Sequence, residues 1–270
     1  MEDLLTELPP PSRFFLEDLN NFTLPSSPLP CPFLVFSTPN VKKPLRPTLL
    51  IVAMSSPSLY FFHHLSSKTL VGTLVLPEIP FSGNCIEPSL RDKSCNIYAL
   101  NDPDNLVLIV SVQCSIAAER SHAVAKLLIS EQIVPERVLI LDSVQSRNFR
   151  GKLSPDEASA FKLETSLERK GLDDGCGDSS LLKNSDYLPS GSVIDGFSAA
   201  LLGRCQMKKI KGTLCISWPV LSTTVKSLIA SVLLKDVLSG LDYSIDGDND
   251  EEYLKLDQIK NHPLDSELYT

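Results

Sequence analysis

Short apolar runs separated by amphipathic stretches set the rhythm of this chain. Residues 48–54 (TLLIVAM) are apolar and partly β-branched, the pattern of a buried strand. Residues 70–76 (LVGTLVL) and 95–100 (CNIYAL) read as further strands. The run 105–113 (NLVLIVSVQ) is apolar at successive positions, so both of its faces need apolar cover, as in the middle of a sheet packed on each side. After it comes AAERSHAVAKLLISEQI, where Ala117, Val124 and Leu128 share one helical stripe with Leu127 beside it. Residues 136–143 (ERVLILDS) return as a strand. Strand, helix, strand in that order predicts a right-handed parallel crossover.

Further along, Ser154, Pro155 and Glu157 have the spacing of a helix start: a serine cap, proline at the first helical position and an acid three residues after the cap. Residues 171–180 (GLDDGCGDSS) read as a flexible loop. Ser192 and Asp195 form a second capping pair, followed by Ile194, Phe197, Leu201 and Cys205 on one helical face. Residues 212–218 (GTLCISW) are another buried strand, ended by Pro219. The stretch VKSLIASVLLKDVL predicts a helix with Val225, Leu228, Ile229, Val232 and Leu233 inward and Gly240 as its stop. Strands alternate with helices, so the fold class is α/β, with helices on the faces of a mostly parallel sheet.

Composition divides the chain into three. Half of the 20 prolines fall in the first 50 residues, which forbids regular helix there. Residues 1–46 are therefore read as a proline-rich extended leader, and residues 47–240 as the folded domain. Residues 241–270 hold nine acids against two lysines, whereas the other 240 residues are close to neutral. The last segment is read as an acidic flexible tail. A net charge of -8 without a basic stripe argues against a nucleic-acid partner. No run of 18 apolar residues is present, so no membrane span is expected. Seven cysteines, an odd number with no CxxC pair, suit free thiols in a reducing compartment. With no secretory pattern at the start, the expected location is the cytoplasm, with the nucleus as a second site.

Candidate chemistry is sparse. Neither of the usual glycine-rich phosphate loops nor a G-x-S-x-G elbow is present. His63 and His64 follow LYFF and read as the half-buried end of a strand rather than as metal ligands, while His122 is expected on the wet side of its helix. Cys114 follows the central strand, where α/β folds place active sites, and the simpler reading is a small buried residue at a tight turn. A calcium loop fails on spacing: counted from Asp246 the sixth position is Glu251 rather than glycine, and counted from Asp242 the twelfth is Tyr253 rather than glutamate. No metal and no cofactor are expected.

The chain ends on Leu268, Tyr269 and Thr270. An apolar residue, a tyrosine and a free carboxylate suit a groove with a lysine at its base. A 30-residue linker of Gly/Ser type would span about 30 Å on average, enough for the tip to search around a docked body. This ending, together with LVLIVSVQCSIAAERSHAVAKLL, RVLILDSVQSRNFRG and LPSGSVIDGFSAALLGRCQMKKIKGTLCISW, resembles the proteasome assembly chaperone 1 family in a plant-like form. The likeness covers roughly residues 96–218 and the terminus; the proline-rich start and the acidic linker look lineage-specific. The resemblance implies a fold like that of purine nucleoside phosphorylases, without enzymatic activity. It implies a heterodimer with proteasome assembly chaperone 2 that gathers 20S proteasome α subunits into a ring and prevents α rings from pairing. It also implies that Leu268 fills an apolar lip between α subunits, Tyr269 packs and hydrogen-bonds in the pocket, and Thr270 offers its carboxylate to a lysine. Pro263 and the acids before the motif depart from the family pattern and bear on how the tip approaches. Two alternatives stay open: a phosphorylase-like or hydrolase-like enzyme using Cys114 or a carboxylate, and an adaptor whose C-terminal peptide binds an unrelated partner.

Overall fold

The structure, a computed structural model, describes residues 30–37, 44–80, 82, 84–85, 88–100, 106–151, 157–173, 181–220 and 222–238. The acidic tail with Leu268, Tyr269 and Thr270, most of the leader, the calcium-like segment, Gly240 and Ser154–Pro155 of the predicted helix start lie outside these residues.

Within the described residues the strands are β1 (Phe33–Phe36), β2 (Leu49–Ala53), β3 (Lys68–Val75), β4 (Cys95–Leu100), β5 (Val107–Val112), β6 (Arg137–Ser143), β7 (Ser159–Glu164), β8 (Asp186–Tyr187) and β9 (Lys211–Trp218). The helices are α1 (Ser56–His63), α2 (Ala118–Leu128), α3 (Ser166–Asp173), α4 (Gly196–Lys208) and α5 (Thr223–Val232), the last continued by a π-helical turn, Leu233–Val237. One sheet runs in the order β1-β3-β4-β5-β2-β6-β9-β7-β8. Its centre, β5-β2-β6-β9, is parallel. Toward one side β5, β4, β3 and β1 pair antiparallel, and on the other side β7 runs antiparallel to β9. The α/β expectation holds, in a mixed sheet whose parallel part is central.

The unbroken apolar strands follow from helices on both faces. On one face α1 and α5 cover Ile51, Ile109, Leu139 and Cys215; on the other α2 and α4 cover Leu50, Val52, Leu108 and Ile140. Each fully covered Leu or Ile contributes about 1.5–3 kcal/mol of burial. The β5-α2-β6 unit joins parallel strands, with β2 seated between them. On α4, Phe197, Leu201 and Cys205 are buried as the stripe predicts, and on the last helix Val225, Ile229 and Leu233 are.

Four stretches differ from the sequence reading. SPSLYFFH is a helix, not a strand: Pro57 occupies its first turn, where a missing N–H has no cost, and Leu59 to Phe62 are buried all round. A helix buried on every side shows no stripe, so periodicity cannot tell it from a strand. Residues 159–164, beyond the predicted helix start, form β7 rather than helix, held by the ladder from Ser159↔Trp218 to Glu164↔Thr213. There Phe161 and Leu163 pack on one core, while Lys162 and Glu164 alternate with them. Residues 166–173 are helical, overlapping the predicted loop. On α3 Glu168 is buried and paired with Arg137. Finally β1 lies inside the stretch read as leader and forms a sheet edge beside β3. Proline is tolerated at such an edge, and Pro30 and Pro32 precede the strand.

Candidate functional site

Parallel strands end at the same side of the sheet, and the turns that follow them converge there. The turns after β2, β5, β6 and β9 surround a cleft of ≈ 1160 Å³, closed by the segment before α4 and by residues 90–93. Cys114 lies in its wall, two residues past β5, as the sequence placed it.

Hydrogen bonds build the walls. The carboxylate of Asp92, itself buried, accepts from the backbone N–H groups of Cys85 and Ser89, both at 2.9 Å. This folds the loop that carries Arg91 and Lys93. Gln113 stitches that loop to β5: its Nε2 donates to the Ser89 carbonyl at 2.8 Å and its Oε1 accepts from Ser94 Oγ at 2.7 Å. Across the cleft, Asn148 donates to the Asp195 carboxylate at 3.3 Å, and Ser192 Oγ accepts from the Arg150 N–H at 3.0 Å. The predicted Ser192–Asp195 capping pair therefore does not form as such: Asp195 is the cap residue of α4, and Ser192 serves the β6 turn.

Glu78 at the rim accepts from Arg120 Nε at 2.8 Å and from Nη2 at 2.9 Å. Those hydrogen bonds hold its carboxyl below the usual carboxylate range and raise Arg120. Arg120 also donates to the Pro30 carbonyl, which fastens the approach to β1 against α2. Arg91, Lys93 and Arg147 are exposed on the rim. The Sγ of Cys114 lies 3.2 Å from that of Cys95. Contact with Cys114, then burial, pushes the Cys95 thiol well above its ordinary range.

Among the described residues lining the cleft there is no histidine, and its one thiol meets a second thiol. Away from the cleft, His64 ends α1, with Nδ1 3.0 Å from the Tyr60 carbonyl and its ring 4.3 Å from that of Tyr60. His63 and His64 thus belong to a helix end rather than a strand end, and His122 is exposed on α2. No group of three His, Cys, Asp or Glu that could hold a metal occurs among the described residues. Nor is any described helix long and apolar enough to cross a membrane.

Neither a protein-family model nor a curated protein sequence matches the chain. Solved structures do. Pyrococcus furiosus PbaA, an archaeal homolog of proteasome-assembly chaperone, is similar with a TM-score of 0.55 and 16% identity, over 86% of this chain and 89% of that one. Pyrococcus furiosus PbaB, an archaeal proteasome activator, gives 0.54 at 14% identity, over 84% and 93%. A protein of unknown function from Thermoplasma acidophilum gives 0.54 at 17% identity, over 81% and 85%. What the chain shares with them at this identity is the fold.

Sequence reasoning found Cys114 but missed its partner and the rest of the cleft. Asp92, Gln113 and Asn148 belong to no spaced motif, and the capping spacing of Ser192 and Asp195 did not reveal the Asp195 contact with Asn148; these contacts form because the strand ends meet. The available signal was positional, since each follows or precedes an apolar strand run or a helix start.

Proposed function

We propose that this chain is a non-catalytic chaperone of 20S proteasome assembly, of the assembly chaperone 1 type. The observation that carries the reading is the fold it shares with PbaA across 86% of its own length and 89% of that protein's. The similarity to PbaB, described as a proteasome activator, adds to it, as does the Leu268-Tyr269-Thr270 ending. In this reading the folded body pairs with proteasome assembly chaperone 2 and binds α subunits. The tip docks between two α subunits: Leu268 in an apolar lip, Tyr269 in the pocket, and the Thr270 carboxylate on a lysine. One tripeptide supplies a few kcal/mol at most, so the body carries most of the affinity and the tip sets register. The place of work is the cytoplasm, with the nucleus as a second location.

Capture from cell extract tests this. Tagged full-length chain should recover α subunits and the paralogue; deleting residues 268–270 should lower α-subunit recovery and leave the paralogue bound. Equal recovery by both forms would refute tail docking, and recovery of no proteasome subunit would refute the whole reading.

The cleft favours a second reading, in which the strand-end site holds a small ligand, as in an α/β enzyme. Titration with inorganic phosphate and with nucleosides separates the two, since heat of binding at the cleft is expected only from the second.

A further inference from the structure

We propose that Cys95 and Cys114 are a reversible dithiol that oxidises to an intramolecular disulfide at the wall of the cleft. The two sulfurs are already 3.2 Å apart, inside ordinary non-bonded separation, and a bond needs them roughly 1.2 Å closer. Position makes that approach feasible. Cys95 is the first residue of β4, paired in register with Val112, and the Gln113 N–H to Ser94 carbonyl bond at 2.9 Å closes the ladder. Cys114 lies just beyond that last rung, in the turn before α2. Both side chains point to the same core.

The two sulfurs have different access. Cys95 is 1% exposed, whereas Cys114 is half-buried and lines the cleft. A peroxide of small size therefore meets Cys114 first. The Cys114 thiolate attacks one peroxide oxygen, the O–O bond breaks, and Cys114 becomes a sulfenic acid with release of water. Cys95 Sγ then attacks Cys114 Sγ, the S–O bond breaks, and the Cys95 proton leaves with the hydroxide as a second water. In sum, two thiols and one hydrogen peroxide give one disulfide and two waters. The high proton affinity of Cys95 keeps it a thiol until the sulfenic acid forms beside it. Among the described residues the other cysteines lack this geometry: Cys205 and Cys215 are buried on opposite faces of the sheet, and Cys31 and Cys85 are exposed.

The full chain treated with hydrogen peroxide, alkylated and cut with trypsin tests this. Residues 94–120 form one tryptic peptide that holds both cysteines and no other. That peptide should come out about 2 Da lighter and unalkylated, and dithiothreitol should restore two alkylation sites. Cutting at Asp102 or Asp104 should leave its halves joined until reduction. Cys114→Ser should abolish the light peptide, and Cys85→Ser should leave it unchanged. If Cys114 instead proceeds to a sulfinic acid while Cys95 stays alkylatable, or if both cysteines stay alkylatable after peroxide, the proposal is wrong.

Discussion

Replacing Arg137 with leucine should destabilise the protein by about 3–5 kcal/mol, because it strands a carboxylate. Glu168 on α3 has a side chain with no exposure, and it accepts from Arg137 Nε at 3.1 Å and from the second guanidinium arm. Arg137 stands at the start of β6 with 16% of its side chain exposed, so water cannot replace it well. Taking both charges away is a different experiment. Leucine at 137 and 168 together exchanges a desolvated pair for apolar contact, and the double variant should lie within about 1 kcal/mol of wild type or above it. Urea unfolding followed by the fluorescence of Trp218, the chain's single tryptophan, reads both outcomes. With a slope of about 2–3 kcal/mol/M, the single variant should lose about 1–2.5 M in its midpoint. A single variant that loses under 1 kcal/mol would show that Glu168 finds water once its partner is gone, and would refute the docking of α3 described above. A double variant as unstable as the single one would refute the charge-stranding argument and leave lost packing as the cause.

Gly72→Ala should loosen the β1 edge, since a Cβ there would meet the Val35 carbonyl oxygen at 2.6 Å; about 1–3 kcal/mol and faster amide exchange at Phe33–Phe36 are expected, and unchanged exchange would refute it. Alkaline pH should unfold the protein through its buried thiols. Burial pushes Cys205 and Cys215 from an ordinary value of 9.0 up to about 12, so between those values the unfolded chain has released protons that the folded chain keeps. Their contribution is complete below pH 9 and falls by about 1.4 kcal/mol per pH unit per thiol as pH rises toward 12. Lys68, lowered by burial to about 8, acts in the opposite sense between 8 and its ordinary 10.5, and its partial exposure keeps that effect smaller. Alanine at Cys205 and Cys215 should flatten the alkaline slope of urea midpoints, and an unaltered slope would count against the assignment.

Much of the fold was legible because the strands β2, β5, β6 and β9 are covered on both faces, and such strands must be apolar at successive positions. Helices α2 and α4 were legible for the opposite reason: each has one wet side, so its buried residues recur at helical spacing. Where an element buries all its sides, as α1 does, the periodic signal vanishes. Residues 159–164 are strand rather than helix because a local cap contributes about 1 kcal/mol, less than the ladder that β7 forms with β9.

By itself, then, the sequence determined the α/β class, the central strands, the neutral body with its acidic end, and the position of Cys114. Only the tertiary structure decided that strand ends far apart in the chain form one cleft, that Glu168 meets Arg137, and that Cys95 lies against Cys114. The reason is physical. Periodicity records which side of an element meets water, a local property of each segment. Which two segments meet depends on sheet order, and that order is set by how all the apolar faces are buried at once.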